Sequence, residues 1–164
     1  MEDIIKLAAE VGQTLQQKGL LLATAESCTG GGVAQAITEI AGCSEWFDCG
    51  FITYSNDSKT EILDVSAVLI AQHGAVSEEI SAAMAQGALA HSDAHVAIAT
   101  TGIAGPTGAV PGKPVGTICF GWAMGKRILT ERKVFSGDRH AIREQTVAHS
   151  LQGLLRFLKT PDPS

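Results

Sequence analysis

The sequence predicts an α/β protein, a three-layer α/β/α sandwich with a mixed, mainly parallel sheet and one β-hairpin. Runs of consecutive apolar residues, typical of buried strands, alternate with segments whose apolar residues recur at helical spacing. Near the end of the chain two strand patterns follow each other across Met124-Gly125-Lys126, as in a hairpin. The 164 residues, 45% of them hydrophobic, suit a single domain. We expect that domain at residues 1–159 and a flexible tail at 160–164.

The first elements are a helix, a strand and a second helix. Apolar residues recur at helical spacing from Ile4 to Leu15, and Gly19 follows where a helix would end. The run Leu20–Ala25 is apolar at consecutive positions, which predicts a strand covered on both faces. It leads through the letters ESCTGGG into a helical pattern. This unit is therefore strand, glycine-rich turn, helix.

The middle of the chain predicts two more strands and two helices. A strand at Gly50–Tyr54 precedes a short helical stretch that contains Lys59. Ser77 is followed by two glutamates, which is typical of the start of a helix, and an alanine-rich pattern continues to about His91. A third strand is expected at Ala94–Thr101.

The last third predicts a loop, the hairpin and a long helix. Residues 101–116 hold five glycines and three prolines, a composition that excludes a regular element. The hairpin strands are expected at Val115–Ala123 and Ile128–Phe135. A final helix is expected from about Asp138 to just before Pro161.

Composition narrows the classes of function. The net charge is −5, and no basic patch is interleaved with aromatic residues, which argues against nucleic-acid binding. Residues 126–159 nevertheless hold eight basic and three acidic side chains, so a small anion could bind there. The four cysteines form no C-x-x-C pair, the histidines lack metal-binding spacing, and no apolar run could span a bilayer. We expect a soluble cytoplasmic protein with reduced thiols, without metal, cofactor or membrane contact.

Three loops that follow strands are the first places to look for chemistry, because sites in α/β sheets form at the carboxyl ends of strands. In the first loop, Ser27 could be a nucleophile beside backbone N–H donors, or it could simply cap the next helix. Cys28 is a competing nucleophile, although a small buried cysteine is the interpretation we favour.

The other two loops and the last helix add further candidates. Lys59 could act as a base if burial lowered its pKa, or it could be a solvated surface residue. Thr101 and Gly102 begin a loop that could supply N–H donors or be a plain connection. Arg139, at a helix start, suits a phosphate, and its alternative is an ion pair with a neighbouring carboxylate.

Six motifs in sequence carry a resemblance to one family. The letters TAESCTGG, ITYSNDSK, QHGAVS, TTGIAGP, KPVGT and FSGDR occur in the order and spacing of the CinA C-terminal domain family, over residues from about 5 to 158. The resemblance implies hydrolysis of the carboxamide of nicotinamide mononucleotide to nicotinate mononucleotide and ammonia. Other members carry an additional N-terminal domain, for which we expect no space here.

Carried over by motif, the resemblance implies roles for single residues. It makes Ser27 the nucleophile, makes Tyr54 and Lys59 its partners in proton transfer, and implies no metal. The glycine-rich turn, with Thr29, Gly30 and Gly31, and the Thr101-Gly102 segment are expected to bind the reacting carboxamide, and Arg139 the phosphate. The substrate is the one partner expected, and a homodimer stays open. The alternatives are a non-catalytic accessory protein associated with competence and damage, or an amidase for another small amide.

Overall fold

Residues 2–160 are described in the computed structural model, so residues 161–164 of the expected tail lie outside the described part. The strands are β1 (Leu22–Glu26), β2 (Phe47–Ile52), β3 (Val96–Gly102), β4 (Thr117–Met124) and β5 (Arg127–Val134). The helices are α1 (Glu2–Lys18), α2 (Gly32–Thr38), α3 (Asn56–Leu63), α4 (Ala67–His73), α5 (Glu78–Ala90) and α6 (Arg139–Lys159). A short 3-10 helix lies at Cys43–Glu45.

The described strands form one mixed sheet in the order β2-β1-β3-β4-β5. Strand β1 pairs in parallel with both β2 and β3, whereas β4 pairs antiparallel with β3 and β5. The mixed sheet and the β4–β5 hairpin are therefore confirmed. The expectation that the sheet would be mainly parallel is wrong, because parallel and antiparallel pairs occur in equal number. The segment between β3 and β4 contains no helix that could carry the chain back for a parallel return.

Helices pack on both faces of the sheet. The face with the larger side chains, including Phe120 and Trp122, is covered by α1, α2 and α6. The other face is lined by strand alanines such as Ala23 and Ala97, and α3, α4 and α5 pack there. Small strand residues allow close approach: a Cβ on Gly121 would lie 2.6 Å from a carbonyl oxygen of α5. Helix α5 therefore lies almost on the backbone of β4.

Most elements occur where the sequence predicts them, and the differences arise at the sheet edge and in short helices. Strand β2 begins three residues earlier than expected. It is an edge strand whose side chains are alternately half-buried and exposed, so its first residues lack the continuous apolar run that marks a buried strand. The chain leaves the sheet after Ile52, so that Thr53 and Tyr54 belong to the loop before α3. Helix α4 was not expected, and it buries one residue only, Ile70. None of the helices within residues 2–160 combines the length and the apolar character that crossing a membrane requires.

Candidate active site

Ser27 lies immediately beyond β1, at the carboxyl ends of the three strands β2, β1 and β3. Its N–H donates to the carbonyl of Thr100 at 3.0 Å, which continues the pairing with β3 by one residue. On the other side, the N–H of Thr53 donates to the carbonyl of Glu26 at 2.9 Å, which continues the pairing with β2. The backbone at Ser27 is thus fixed from both neighbouring strands.

Lys59 reaches Ser27 from the first turn of α3. Its side chain is 1% exposed, and Nζ lies 2.9 Å from Ser27 Oγ. Nζ also donates to the carbonyls of Thr53 at 2.8 Å and Tyr54 at 2.9 Å. The alternative of a solvated surface lysine is therefore wrong. A buried amine held by two carbonyls and one hydroxyl can exchange a proton with that hydroxyl only.

The environment of Lys59 favours the neutral amine at mildly alkaline pH. Burial lowers the pKa of Lys59 from 10.5 to about 8. The positive end of the α3 dipole acts in the same direction as burial, since the side chain folds back towards the start of its own helix. In its neutral form the amine has two N–H groups for the two carbonyls, and its lone pair is then available to the Ser27 hydroxyl.

Ser27 does not cap α2. The N-cap is Gly31, which offers no side-chain hydrogen bond. The second and third N–H groups of α2 are instead satisfied by the carboxylate of Glu26, which accepts from Val33 N at 2.9 Å and Ala34 N at 3.0 Å. Glu26 is 1% exposed. The start of α2 therefore already holds an anion of the protein, and it is no site for a substrate phosphate.

Sequence reasoning missed Glu26, although a signal was present. It is the one charged residue between an apolar strand and a glycine-rich turn. A carboxylate there must be paired when it is buried, and the N–H groups of the next helix are its nearest donors.

The predicted binding residues of the first loop are present in the same turn as Ser27. Thr29 directs its hydroxyl away from Ser27, to Glu26 Oε1 at 2.5 Å and Thr100 Oγ1 at 2.8 Å. Gly30 donates its N–H to the Ser27 carbonyl at 3.1 Å, and its φ of 58° is one that glycine adopts without strain. The N–H groups of Thr29 and Gly31 find no acceptor within residues 2–160. They are available donors in the turn that carries Ser27.

The side chain of Cys28 is buried. Burial raises the pKa of its thiol to about 12. It is therefore protonated at neutral pH, which favours the interpretation of a small buried cysteine over that of a competing nucleophile.

Tyr54 contributes its backbone carbonyl to the site, while its side chain is 66% exposed. Because Lys59 touches Ser27 directly, proton transfer between them needs no relay through the phenol. The expectation that Thr101 and Gly102 begin a loop is wrong, because both residues pair with β4 and form the end of β3. The Thr101 hydroxyl donates to the carbonyl of Ala75 at 2.9 Å, and Gly102 pairs with Ile118 of β4.

Two arginines one helical turn apart approach the loops of the site from α6. Arg139 donates from Nη1 to the carbonyl of Gly105 at 2.7 Å, in the loop after β3. Arg143 donates to two carbonyls of the Ser27 turn, from Nε to Cys28 O at 3.1 Å and from Nη2 to Thr29 O at 3.3 Å. Sequence reasoning missed Arg143, because nothing in the FSGDR motif indicates which face of the helix meets the turn.

Two further features bear on possible ligands. A cavity of about 260 Å³ lies between α1, α2 and α6, and it is lined by Thr29 and Arg143 among others but not by Ser27 or Lys59. Among residues 2–160, no group of three or more His, Cys, Asp or Glu side chains is arranged to hold a metal ion.

Comparison with known proteins connects this geometry to a described family. Residues 4–158 match the model of the CinA C-terminal domain. The nicotinamide-nucleotide amidohydrolase PncC of Pseudomonas putida is 50% identical over 157 residues, which cover 96% of this chain and 98% of that protein. The protein of the same name from Escherichia coli K12 is 48% identical over 153 residues, 93% of each. The crystal structure of competence damage-inducible protein A from Klebsiella pneumoniae has a TM-score of 0.94 at 38% identity, over 97% of this chain and 99% of that one.

Proposed function

We propose that this chain, which belongs to the CinA C-terminal domain family, is an amidohydrolase that converts nicotinamide mononucleotide to nicotinate mononucleotide and ammonia. Relatives named for this activity are about half identical to it over nearly their whole length. The observation that carries the chemistry is the 2.9 Å contact between buried Lys59 Nζ and Ser27 Oγ. An amide is a poor electrophile, and it needs an activated nucleophile of this kind.

The reaction begins with a proton transfer. Neutral Lys59 accepts the proton of the Ser27 hydroxyl along the short Nζ–Oγ contact. The ammonium that forms is held by the carbonyls of Thr53 and Tyr54, which already occupy its other two donors. These carbonyls also keep the amine from turning away from Ser27.

Acyl transfer follows in two stages, formation of the acyl-enzyme and its hydrolysis. Ser27 Oγ attacks the carboxamide carbon, the carbonyl oxygen gains the negative charge, and N–H groups of the turn, that of Thr29 first among them, stabilise it. Collapse breaks the C–N bond, and Lys59 returns its proton to the departing nitrogen as ammonia leaves. Water then attacks the acyl carbon and gives a proton to Lys59. The bond between that carbon and Ser27 Oγ breaks, Lys59 returns the proton to Oγ, and the acid product leaves and loses its own proton to solvent.

Arg139 would hold the 5′-phosphate of the substrate. It lies at the start of α6 and contacts the loop that follows β3, so it adjoins the edge of the sheet that carries Ser27. The α2 N-terminus is occupied by Glu26, which leaves the cations of α6 as the charges suited to a phosphate. Binding energy from the phosphate would position the reacting ring.

The test is ammonia release by purified protein from nicotinamide mononucleotide, with nicotinamide riboside and unrelated small amides as parallel substrates. We expect release from the mononucleotide above all. Preference for another amide would change the substrate and keep the chemistry. Absence of release from every amide would instead favour a non-catalytic accessory protein.

A further inference from the structure

Arg143 holds the carbonyl side of the turn that carries Ser27. Its guanidinium donates to Cys28 O at 3.1 Å and to Thr29 O at 3.3 Å. The guanidinium also lies against Gly30, where a Cβ would come within 3.3 Å of Nη2. A planar fork with donors in fixed directions thus meets two successive peptide groups at once.

The geometry of the peptide bond converts this contact into an orientation of N–H groups. In a planar trans peptide the C=O and the N–H point in opposite directions. Cys28 O and Thr29 N–H belong to the same peptide group, so a guanidinium that draws the carbonyl towards α6 turns the N–H away from α6. Within residues 2–160 that N–H has no acceptor. The Thr29 N–H is therefore fixed in direction and still able to donate to a substrate.

Glu26 fixes the same turn from the other side. Its carboxylate accepts the Thr29 hydroxyl at 2.5 Å and the second and third N–H groups of α2. A buried anion therefore holds donors of the turn while a cation holds its carbonyls. The bond from the Arg143 guanidinium to the Cys28 carbonyl also polarises that peptide group, which makes the Thr29 N–H a stronger donor.

We propose that Arg143 is a positioning residue that aims and polarises the Thr29 N–H as the donor for the oxyanion formed when Ser27 attacks a carbonyl. This proposal rests on Ser27 as the nucleophile of the proposed function. It differs from phosphate binding, because its effect falls on the reacting carbon and is the same for substrates with and without a phosphate.

The experiment compares Arg143→Met and Arg143→Lys with wild type, and uses Arg156→Met as the control. Arg156 is on the same helix, but it pairs with Glu131 on the surface, away from the turn. Two readouts are taken: kcat and KM on the mononucleotide and the riboside, and the rate at which a fluorophosphonate labels Ser27, followed by mass spectrometry. Labelling needs the nucleophile and the oxyanion donor but not the natural substrate.

We expect Arg143→Met to lower kcat about 10- to 100-fold on both substrates, somewhat less than outright removal of an oxyanion donor, with KM changed less than about threefold. The labelling rate should fall in parallel. Arg143→Lys keeps the positive charge but lacks the planar fork that meets two successive peptide groups, so it should lie between Arg143→Met and wild type. Arg156→Met should match wild type in both readouts.

Unchanged kcat and labelling in Arg143→Met would overturn the proposal, and so would a loss confined to the phosphorylated substrate. If Arg143→Met does not fold by circular dichroism, Arg143→Lys decides the question by the same comparison. Wild-type protein that labels at Ser27 but releases no ammonia would refute the amidase activity and leave the positioning role to the labelling rates. Wild-type protein that does not label at Ser27 would refute both.

Discussion

At Lys59, burial sets the pKa of the amine, and hydrogen bonds set its position. Desolvation lowers its pKa to about 8, while the carbonyls of Thr53 and Tyr54 hold the ammonium in place. The result is an amine that is partly neutral near physiological pH and remains aimed at Ser27 in both protonation states. A base tuned in this way is suited to taking a hydroxyl proton and returning it to ammonia.

The pH dependence follows from the sign of that shift. Lys59 acts when it is neutral, so kcat/KM should rise with pH and level off above an apparent pKa near 8, well below the ordinary 10.5. Profiles on the riboside are preferred, because its lack of a phosphate removes a second titration near pH 6. Lys59→Met should lose this limb together with the activity on both substrates. A flat profile from pH 6 to 9 in wild type would deny the lysine its role as base.

Arg139 should discriminate between substrates with and without a phosphate. Arg139→Ala should lower kcat/KM for the mononucleotide by about one to two decades, the loss of one charge-assisted contact, and have little effect on the riboside. The ratio of the two effects is the measurement. Equal losses on both substrates would remove Arg139 from the phosphate site.

Single residues of the site differ in how well the sequence indicates them. Ser27 follows strand β1 and Lys59 lies in the helix that follows β2, and their motifs indicated both residues before the structure brought them together. Glu26 and Arg143 act on the backbone of the turn, through contacts that depend on helix rotation and on which peptide groups face which side. Neither contact has a spacing that can be read along the chain.

At the scale of elements, α3 carries Lys59 and is itself fixed by its contact with α5. Ser55 caps its start by accepting from Ser58 N, and Asp64 ends it in a left-handed conformation. Gly87 of α5 lies so close to the end of α3 that a Cβ would come within 2.3 Å of the Leu63 carbonyl. The position of Lys59 thus depends on a glycine in another helix.

Gly87→Ala should therefore push α3 and α5 apart. We expect a loss of about 1–3 kcal/mol in the free energy of unfolding, as for other overpacked cores, although alanine has the higher helix propensity. Urea unfolding gives the stability, and kcat should fall as Lys59 moves. Gln86→Ala, at an exposed neighbouring position of the same helix, should show neither effect. A Gly87→Ala protein as stable as wild type would contradict this close packing.

The elements that could be predicted are those with a strong periodic burial pattern. Helices α1, α5 and α6 each bury one continuous stripe of side chains. Ser77 caps α5 by accepting from Ile80 N, and Asp138 caps α6 by accepting from Ala141 N. The bounds of β2 and the existence of α4 depend on tertiary contacts, because an edge strand and a helix with one buried residue leave a weak pattern. The coarse order of elements was correct, and the weak ones were misplaced or missed.

At the scale of the molecule, the candidate site lies at one half of the sheet, the parallel strands β2, β1 and β3, and the other half supports it. The three parallel strands end at one edge of the sheet. The loops after β1 and β2 supply Ser27 and the carbonyls that hold Lys59, and Thr101 and Gly102 form the end of β3. The antiparallel half extends the sheet and supports α6, which delivers both arginines. The glycine- and proline-rich segment at residues 101–116 has no helical pattern, which indicates an antiparallel return after β3. The expectation of a mainly parallel sheet did not take this into account.

Activity of the whole molecule should withstand removal of metal ions. Among the described residues no cluster of ligands is arranged for a metal, and the proposed steps use Lys59 and backbone donors. Turnover after dialysis against EDTA or dipicolinate should equal that of untreated protein. Loss of activity that returns with added zinc or another divalent ion would show that a metal is required.

Ammonia release by wild type, Ser27→Ala and Cys28→Ala, measured in parallel on nicotinamide mononucleotide, tests the proposed enzyme most directly. Ser27→Ala should lose activity by about 1,000-fold or more while it unfolds like wild type, since it deletes one hydroxyl from a fixed turn. Cys28→Ala should keep most of the activity, because that thiol is protonated and buried. An active Ser27→Ala protein, or an inactive but folded Cys28→Ala protein, would contradict serine-based amide hydrolysis at this site.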